Sequence, residues 1–188
     1  VFNASDLHPV NTSNSLNKYA DDTYLVVPAR NTSTIPSEMK HISEWAMANN
    51  LKLNTTKSLE IIVRNPWAKK NDLPNPPPQP GIERVDQMVV LGVNMQSNLK
   101  FDKHVDKIVN RVAQTFYALR VLRSHGLTGP SLWDVARSTM VSQLLYATPA
   151  WWGFVDEEGK NRIQSIIKKA KRQGFLPVDF QSFEQCCQ

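Results

Sequence analysis

Asp21 and Asp22 are adjacent carboxylates that follow Tyr19-Ala20 and sit between two runs of β-forming residues, Leu16 to Tyr19 and Thr23 to Val27. This arrangement predicts a β-hairpin with acid at its tip. Carboxylates fixed on rigid strands, with open space before them, suit a hard divalent cation. Mg²⁺ is the foremost case, since it binds through one or two carboxylates and completes its shell with water and substrate phosphates. Metal held there lowers the pKa of an attacking hydroxyl and neutralises charge on a departing pyrophosphate, which is the chemistry of nucleotidyl transfer. Asp-Asp is also an ordinary turn dipeptide, so the pair alone specifies a turn, and its neighbours must decide the chemistry.

The cations are distributed unevenly. Between Lys100 and Arg172 there are thirteen basic and six acidic residues, a net of +7, against +5 for the whole 188-residue chain. Lys103, Lys107 and Arg111 recur every fourth residue and share one helix face. Lys168, Lys169, Lys171 and Arg172 form a second group. Such stripes are most often solvated surface; on a protein that grips a duplex they supply phosphate contacts with little sequence preference. Trp133, Trp151 and Trp152 are candidates for stacking on bases. Their places among apolar stripes favour core packing for at least two of them.

The elements that must carry these residues fall into two regions. Up to about Lys100 the pattern is mixed. After the hairpin, Ser33 and Thr34 precede Pro36 and Glu38, which mark the start of a helix running to about Asn50, with Met39, Ile42, Ala46 and Asn49 at helical spacing. Leu59 to Val63 reads as a strand, Pro66 to Pro80 as an extended, partly polyproline II connector, and Ile82 to Val85 with Met88 to Val93 as a pair of strands. From Phe101 to Gly174 the pattern is helical. The first helix, Asp102 to Ser124, carries the stripe Val105, Ile108, Val109, Val112, Phe116 and Leu119. The second runs from Pro130 to near Pro149 through Leu132, Val135, Ala136, Met140 and Leu144. The third follows Asp156, Glu157 and Glu158 and buries Ile163, Ile166, Ile167 and Ala170, stopping at Gly174. The tail from Phe175 to Gln188 shows no pattern.

Composition excludes several classes. The apolar runs are far too short to span a bilayer, and no basic segment leads into an apolar stretch as a signal peptide would. Cys186 and Cys187, adjacent and the only cysteines, cannot form a disulfide framework, and a reducing compartment suits them. The Asn-x-Ser/Thr sequons at Asn3, Asn11, Asn31 and Asn54 are then chance matches in a chain rich in these residues. An intracellular location, nucleus or cytoplasm, is expected. The chain opens on Val1 rather than Met, as a fragment would.

Leu16-Asn17-Lys18-Tyr19-Ala20-Asp21-Asp22-Thr23-Tyr24-Leu25 resembles motif C of reverse transcriptases. Leu51-Lys52-Leu53-Asn54, Lys57 and Leu59 to Val63 then resemble motif D of the non-LTR (LINE-type, jockey-like) retrotransposon enzymes. Leu91-Gly92-Val93 followed by Leu99-Lys100-Phe101 and His104-Val105 resembles motif E, the primer grip. Arg120 to Arg123, Leu145-Tyr146-Ala147, Pro149-Ala150-Trp151-Trp152-Gly153 and Lys168 to Arg172 resemble the thumb that follows. The likeness covers about Leu16 to Phe175, and four motifs in order are more specific than any one.

The resemblance implies an α/β (α+β) fold: the C-terminal part of a palm with antiparallel hairpins over residues 1–100, a three-helix thumb over 101–175, and a tail over 176–188. It implies RNA-directed DNA polymerase activity with two Mg²⁺ ions, an RNA template, a DNA primer and deoxynucleotide triphosphates. Asp21 would be a shared metal ligand and Asp22 a secondary one. Lys57 would approach the pyrophosphate, Tyr19 would pack near the primer end, and Leu91 and Gly92 would support the primer strand. Lys103, Lys107, Arg111, Lys168, Lys169, Lys171 and Arg172 would face nucleic acid. The family's other metal-binding aspartate and its fingers lie upstream of motif C, where this chain is too short to hold them. Asp6 reads as a surface residue. The chain is expected to carry half an active site and to be inactive alone. The alternative is a non-catalytic nucleic-acid-binding remnant or an interaction protein derived from such an element.

Overall fold

The computed structural model describes residues 4–64 and 74–187. The fold is mixed α and β, with small hairpins and a predominance of helix. Its contacts divide into two compact units: Val1–Ile62 with Trp67–Asp86, and Gln87–Gln188 with Val63–Pro66.

In the first unit, β1 (Ser15–Tyr19) and β2 (Asp22–Val26) pair antiparallel, with Leu16 opposite Leu25, Lys18 opposite Thr23 and Tyr19 opposite Asp22. This register leaves Ala20 and Asp21 as a two-residue turn. Ala20 adopts φ +53, the left-handed conformation that tight hairpin turns demand. A 3₁₀ segment, Ala29–Thr34, leads into α1 (Ile35–Ala48), which has Pro36 in its first turn. The buried face of α1 is Ile35, Glu38, Ile42 and Ala46. Ile42 and Ala46 match expectation, whereas Met39 is half-buried and Asn49 exposed.

Glu38 is the departure. It is fully buried, and its carboxylate accepts hydrogen bonds from Val10 N (2.9 Å), Asn11 N (2.8 Å) and the Asn14 side-chain amide (2.8 Å). The segment before β1 is thereby strapped to α1. Trp45 Nε1 donates to the exposed Asp6 carboxylate at 3.0 Å, and Leu7 beside it is buried. Lys18, on β1, donates from Nζ to the carbonyls of Ala4 and Leu7, so the same segment is tied to the hairpin.

The strand expected over Leu59 to Val63 is reduced to β3 (Leu59–Glu60), and Ile82 to Val85 to β4 (Glu83–Arg84). These two pair with each other in parallel, so the expected pairing of Ile82–Val85 with Met88–Val93 is replaced. A bidentate ion pair joins them: Arg84 Nε and Nη2 lie 2.9 and 3.1 Å from the two Glu60 oxygens. Arg84 Nη2 also donates to the Pro76 carbonyl at 2.9 Å. The described part of the proline-rich connector is therefore anchored, while its part from 66 to 73 lies outside the described residues.

In the second unit, β5 (Gln87–Val90) and β6 (Val93–Gln96) form an antiparallel hairpin around Leu91-Gly92. Leu91 has φ +45 and Gly92 φ +86, the two left-handed residues of a type I′ turn. Met88 to Val93 is thus a strand and a turn rather than one strand. The helices follow as α2 (Asp102–Ser124), α3 (Gly129–Ala136), α4 (Ser142–Leu145), α5 (Thr148–Trp151), α6 (Glu157–Arg172) and α7 (Phe183–Cys186). Arg137–Val141 is a π-helical insert between α3 and α4, and Ala147, at φ +52, breaks the chain between α4 and α5.

The expected stripes form one core. Val105, Ile108, Val112, Phe116 and Leu119 of α2 pack with Leu132, Ala136, Met140 and Leu144, with Trp151, and with Ile163, Ile166, Ile167 and Ala170 of α6. The first and third helices match expectation, whereas the second is divided into α3, the π-helical insert and α4, with α5 beyond the break at Ala147. Val93 joins the same core, and the described contacts divide between Asp86 and Gln87 rather than near Lys100. Phe175, Leu176 and Phe183 are also fully or almost fully buried there, so the segment read as a tail completes the core. Asp156 caps α6 by accepting from Gly159 N at 2.8 Å. A Cβ on Gly159 would lie 2.6 Å from Val155 Cγ1, so only glycine permits this approach.

Candidate metal and nucleic-acid sites

Within the first unit, Tyr19, Asp21 and Asp22 share the hairpin tip, and all three are exposed. Cross-strand partners point to one face. Tyr19, Asp22 and Tyr24 therefore lie on one side and Lys18 on the other, where it is engaged with the N-terminal segment. Tyr24 Oη donates to Asp22 Oδ2 at 3.3 Å. Among the described residues no group of three or more His, Cys, Asp or Glu is placed to hold a metal ion. Asp21 and Asp22 are adjacent and exposed at the tip; Mg²⁺ is commonly bound through one or two carboxylates, with water and phosphate as its other ligands.

Lys57 lies elsewhere in the unit. It is exposed, in the turn Asn54–Lys57, and its backbone N–H donates to Asn54 O and Oδ1, both at 3.2 Å. No described hydrogen bond or ion pair joins it to Asp21 or Asp22. A cavity of about 210 Å³ in the same unit is lined by Met39, Lys40, Ser43, Leu53, Thr55, Gln79, Pro80 and Ile82 and excludes both aspartates.

In the second unit, Lys103, Lys107 and Arg111 are exposed along α2, and none has an ion pair among the described residues. Asp106 on the same helix is paired with Arg162 of α6 at 2.8 Å. Further along, Lys169 Nζ sits 5.2 Å from the Phe116 ring, and Arg123 Nη1 donates to Gln173 O at 2.6 Å. Positions on the two helices rise together, so α2 and α6 run parallel. Lys169 therefore lies beside the C-terminal half of α2, while Lys103, Lys107 and Arg111 occupy its N-terminal half, and α2 is about 35 Å long, from 23 residues at ~1.5 Å each. Arg123, 4.8 Å over the Phe175 ring, is committed to packing. Trp151 is fully buried, Trp152 is half-buried, and Trp133 donates from Nε1 to Gly174 O at 3.2 Å, so all three have structural contacts.

Leu91 and Gly92 present a turn, and the residue that backs it was not singled out by its spacing. Tyr146 Oη donates to Leu91 O at 2.8 Å, and a Cβ on Gly92 would lie 3.3 Å from Tyr146 Cε1. His104 is a second such residue. Nearly fully buried, it accepts from Asn94 N at Nδ1 (3.3 Å) and meets Trp151 edge to face, while its Nε2 has no hydrogen-bond partner. Burial, with a smaller contribution from the Lys107 charge, holds its pKa below the ordinary histidine value. Glu38 had no apolar periodicity to mark it. Burial disfavours its charge, but the Asn11 and Val10 N–H groups and the Asn14 amide outweigh burial, and its pKa lies below the usual glutamate value.

Searches against protein-family models, curated proteins and solved structures give no match to this chain. No described helix is long and apolar enough to cross a membrane.

Proposed function

We propose that this chain is a C-terminal palm segment and thumb of a non-LTR retrotransposon reverse transcriptase, an RNA-directed DNA polymerase. The observation that carries the reading is the Tyr19-Ala20-Asp21-Asp22 turn: a two-residue hairpin tip with both carboxylates exposed. Asp21 and Asp22 would hold Mg²⁺, which when bound activates the primer hydroxyl and offsets charge on the triphosphate. The hairpin supplies rigidity, and the N-terminal strap fixes the hairpin through Lys18. The exposed cations of α2 and α6 would contact the phosphates of a primer–template duplex in the nucleus or cytoplasm. Lys57 keeps its proposed role near the pyrophosphate only through motif order.

Mn²⁺ titration followed by NMR tests the site. The amides of residues 19–23 should broaden selectively, and Asp21→Asn should abolish this. Uniform or absent broadening sinks the metal assignment. Primer extension addresses completeness. The isolated chain should make no DNA; template-dependent synthesis lost in Asp21→Ala would show that its carboxylate set is sufficient. A second reading, a non-catalytic nucleic-acid binder, is favoured because no third carboxylate, histidine or cysteine joins Asp21 and Asp22 among the described residues. Duplex binding without any Mn²⁺ response would select it.

A further inference from the structure

We propose that the cavity between α3 and the turn at residues 177–181 is a pocket for an unpaired guanine base. The inference goes beyond the proposed function and does not rest on the Asp21-Asp22 tip. The cavity has a volume of about 400 Å³ and is lined by Trp133, Arg137, Pro177, Asp179, Phe180 and Gln181. That volume falls within the range of small-ligand sites. One wall is helical: Trp133 and Arg137 are four residues apart, one turn along α3 and the π-helical insert that continues it. The other wall is a tight turn, closed by Phe180 N donating to Pro177 O at 3.1 Å. Leu176 before it and Phe183 after it are buried in the core, so both its ends are fixed. Trp133 Nε1 donates to Gly174 O at 3.2 Å, which ties the indole to the segment leading into that turn. The walls are thus held by contacts of the protein's own, and a ligand would pay little to order them.

The lining selects the ligand. The Arg137 guanidinium lies 5.8 Å from the Phe180 ring centroid, a cation–π contact that restrains its planar fork of donors. Neither Arg137 nor Asp179 has an ion pair among the described residues, so one cation and one anion border the same cavity without neutralising each other. A simple anion in the cavity meets the repulsion of Asp179, and a simple cation that of Arg137. A neutral planar molecule with an acceptor edge beside a donor edge meets both charges favourably. Guanine has that pattern. Its O6 and N7 accept from an arginine fork, and its N1–H and N2 amino group donate to a carboxylate. Adenine reverses it, turning an amino group towards the arginine or an unprotonated ring nitrogen towards the carboxylate. Half-buried Trp133 offers ring surface on which such a plane stacks, as unpaired bases do on aromatic side chains.

The test titrates the full chain with guanosine, inosine and adenosine 5′-monophosphates, which share one phosphate and differ only in the base. Calorimetry gives the affinities, and NMR locates the site through the indole N–H of Trp133 and the amides of residues 177–181. The guanine ligand should bind about tenfold or more tighter than the adenine ligand, and the inosine ligand, which lacks the N2 amino group, should fall between them. Asp179→Asn should erase the preference, and Arg137→Gln should weaken the guanine ligand about tenfold. Both side chains are exposed, so both variants should fold. An oligouridylate carrying a single guanosine identifies the source of the base. Tighter binding of that strand than of the mononucleotide, with the same residues shifting, assigns an unpaired base in a strand; equal binding assigns a free nucleotide, and both results support the pocket. Equal affinity for guanine and adenine ligands, shifts confined to other residues, no binding at millimolar ligand, or an unaltered preference in Asp179→Asn overturns the inference. So does tighter binding of free phenylalanine, whose zwitterion would satisfy the two charges without any base edge. None of these results bears on Mn²⁺ binding at residues 19–23, so the pocket and the proposed function stand or fall separately.

Discussion

The side-chain amide of Asn14 lies between two residues of one helix start, donating at 2.8 Å to Glu38 Oε1 and at 2.9 Å to Thr34 Oγ1. Through Asn14 and the Val10 and Asn11 amides, one carboxylate organises a stretch of chain that has no regular structure of its own.

Glu38→Ala should destabilise the first unit by about 3 kcal/mol, since it removes the acceptor of the Val10 and Asn11 N–H groups and leaves the Asn14 amide with Thr34 alone. Chemical denaturation measures this, and a cost under about 1 kcal/mol would contradict the role given to Glu38. A pH dependence follows. The folded-state pKa is depressed, so the stabilisation is complete above the unfolded glutamate value and is lost as pH falls through it towards the folded value. Acid should release the strap, and Glu38→Gln should flatten this dependence below about pH 4.5.

His104 titrates in another window. Its folded pKa is also depressed, and here the neutral form is the one that folds. The contribution is full above the ordinary histidine value of about 6.5 and declines as pH falls below it. Protonation would force a proton onto Nδ1, which now accepts from Asn94. Thermal melts of wild type should drop between about pH 6.5 and 5 more steeply than those of His104→Phe. Parallel melting curves would exclude His104 as the source.

Lys103, Lys107 and Arg111 are expected to act as phosphate contacts. Replacing all three by alanine should lower the slope of log affinity against log salt by up to about 3 for duplex nucleic acid. It should leave stability within about 0.5 kcal/mol per site, because the side chains are exposed and have no ion pair among the described residues. An unchanged slope would assign these residues to plain solvation.

Phe183 fills the core at 4.8 Å from the Trp152 ring, and its backbone N–H donates to Gln164 Oε1 at 3.1 Å. Phe183→Ala should cost about 3–5 kcal/mol in the second unit. The exposed neighbour Glu184→Ala should cost about 0.5 kcal/mol or less. Equal effects from the two would contradict the burial of Phe183.

Much of this architecture was legible before the structure. The periodicity of α2 and α6 named their buried faces, and the β-formers around Ala20-Asp21 placed the hairpin. What escaped has physical reasons. Glu38 is buried by three donors supplied from a distant loop, and no apolar stripe records that. The pairing of β3 with β4 spans 22 intervening residues and only two positions, too little for alternation to appear. Leu91-Gly92 reads as strand because leucine gives no sign of a left-handed turn. The contact that stabilises it comes from Tyr146, far along the chain. Phe175, Leu176 and Phe183 are too sparse to make a periodic face, yet each fills a gap that the helices leave.

Because α2 and α6 lie parallel, the chain must travel back along their length before the second can dock on the first. The pairs Asp106–Arg162 and Phe116–Lys169 are each more than fifty residues apart. Leu132, Ala136 and Met140 cover part of the α2 face, and the residues of α6 and then Phe183 complete it. The helical unit is thus closed by contacts between residues far apart in sequence, which makes its folding slower than that of a bundle built from neighbouring antiparallel helices.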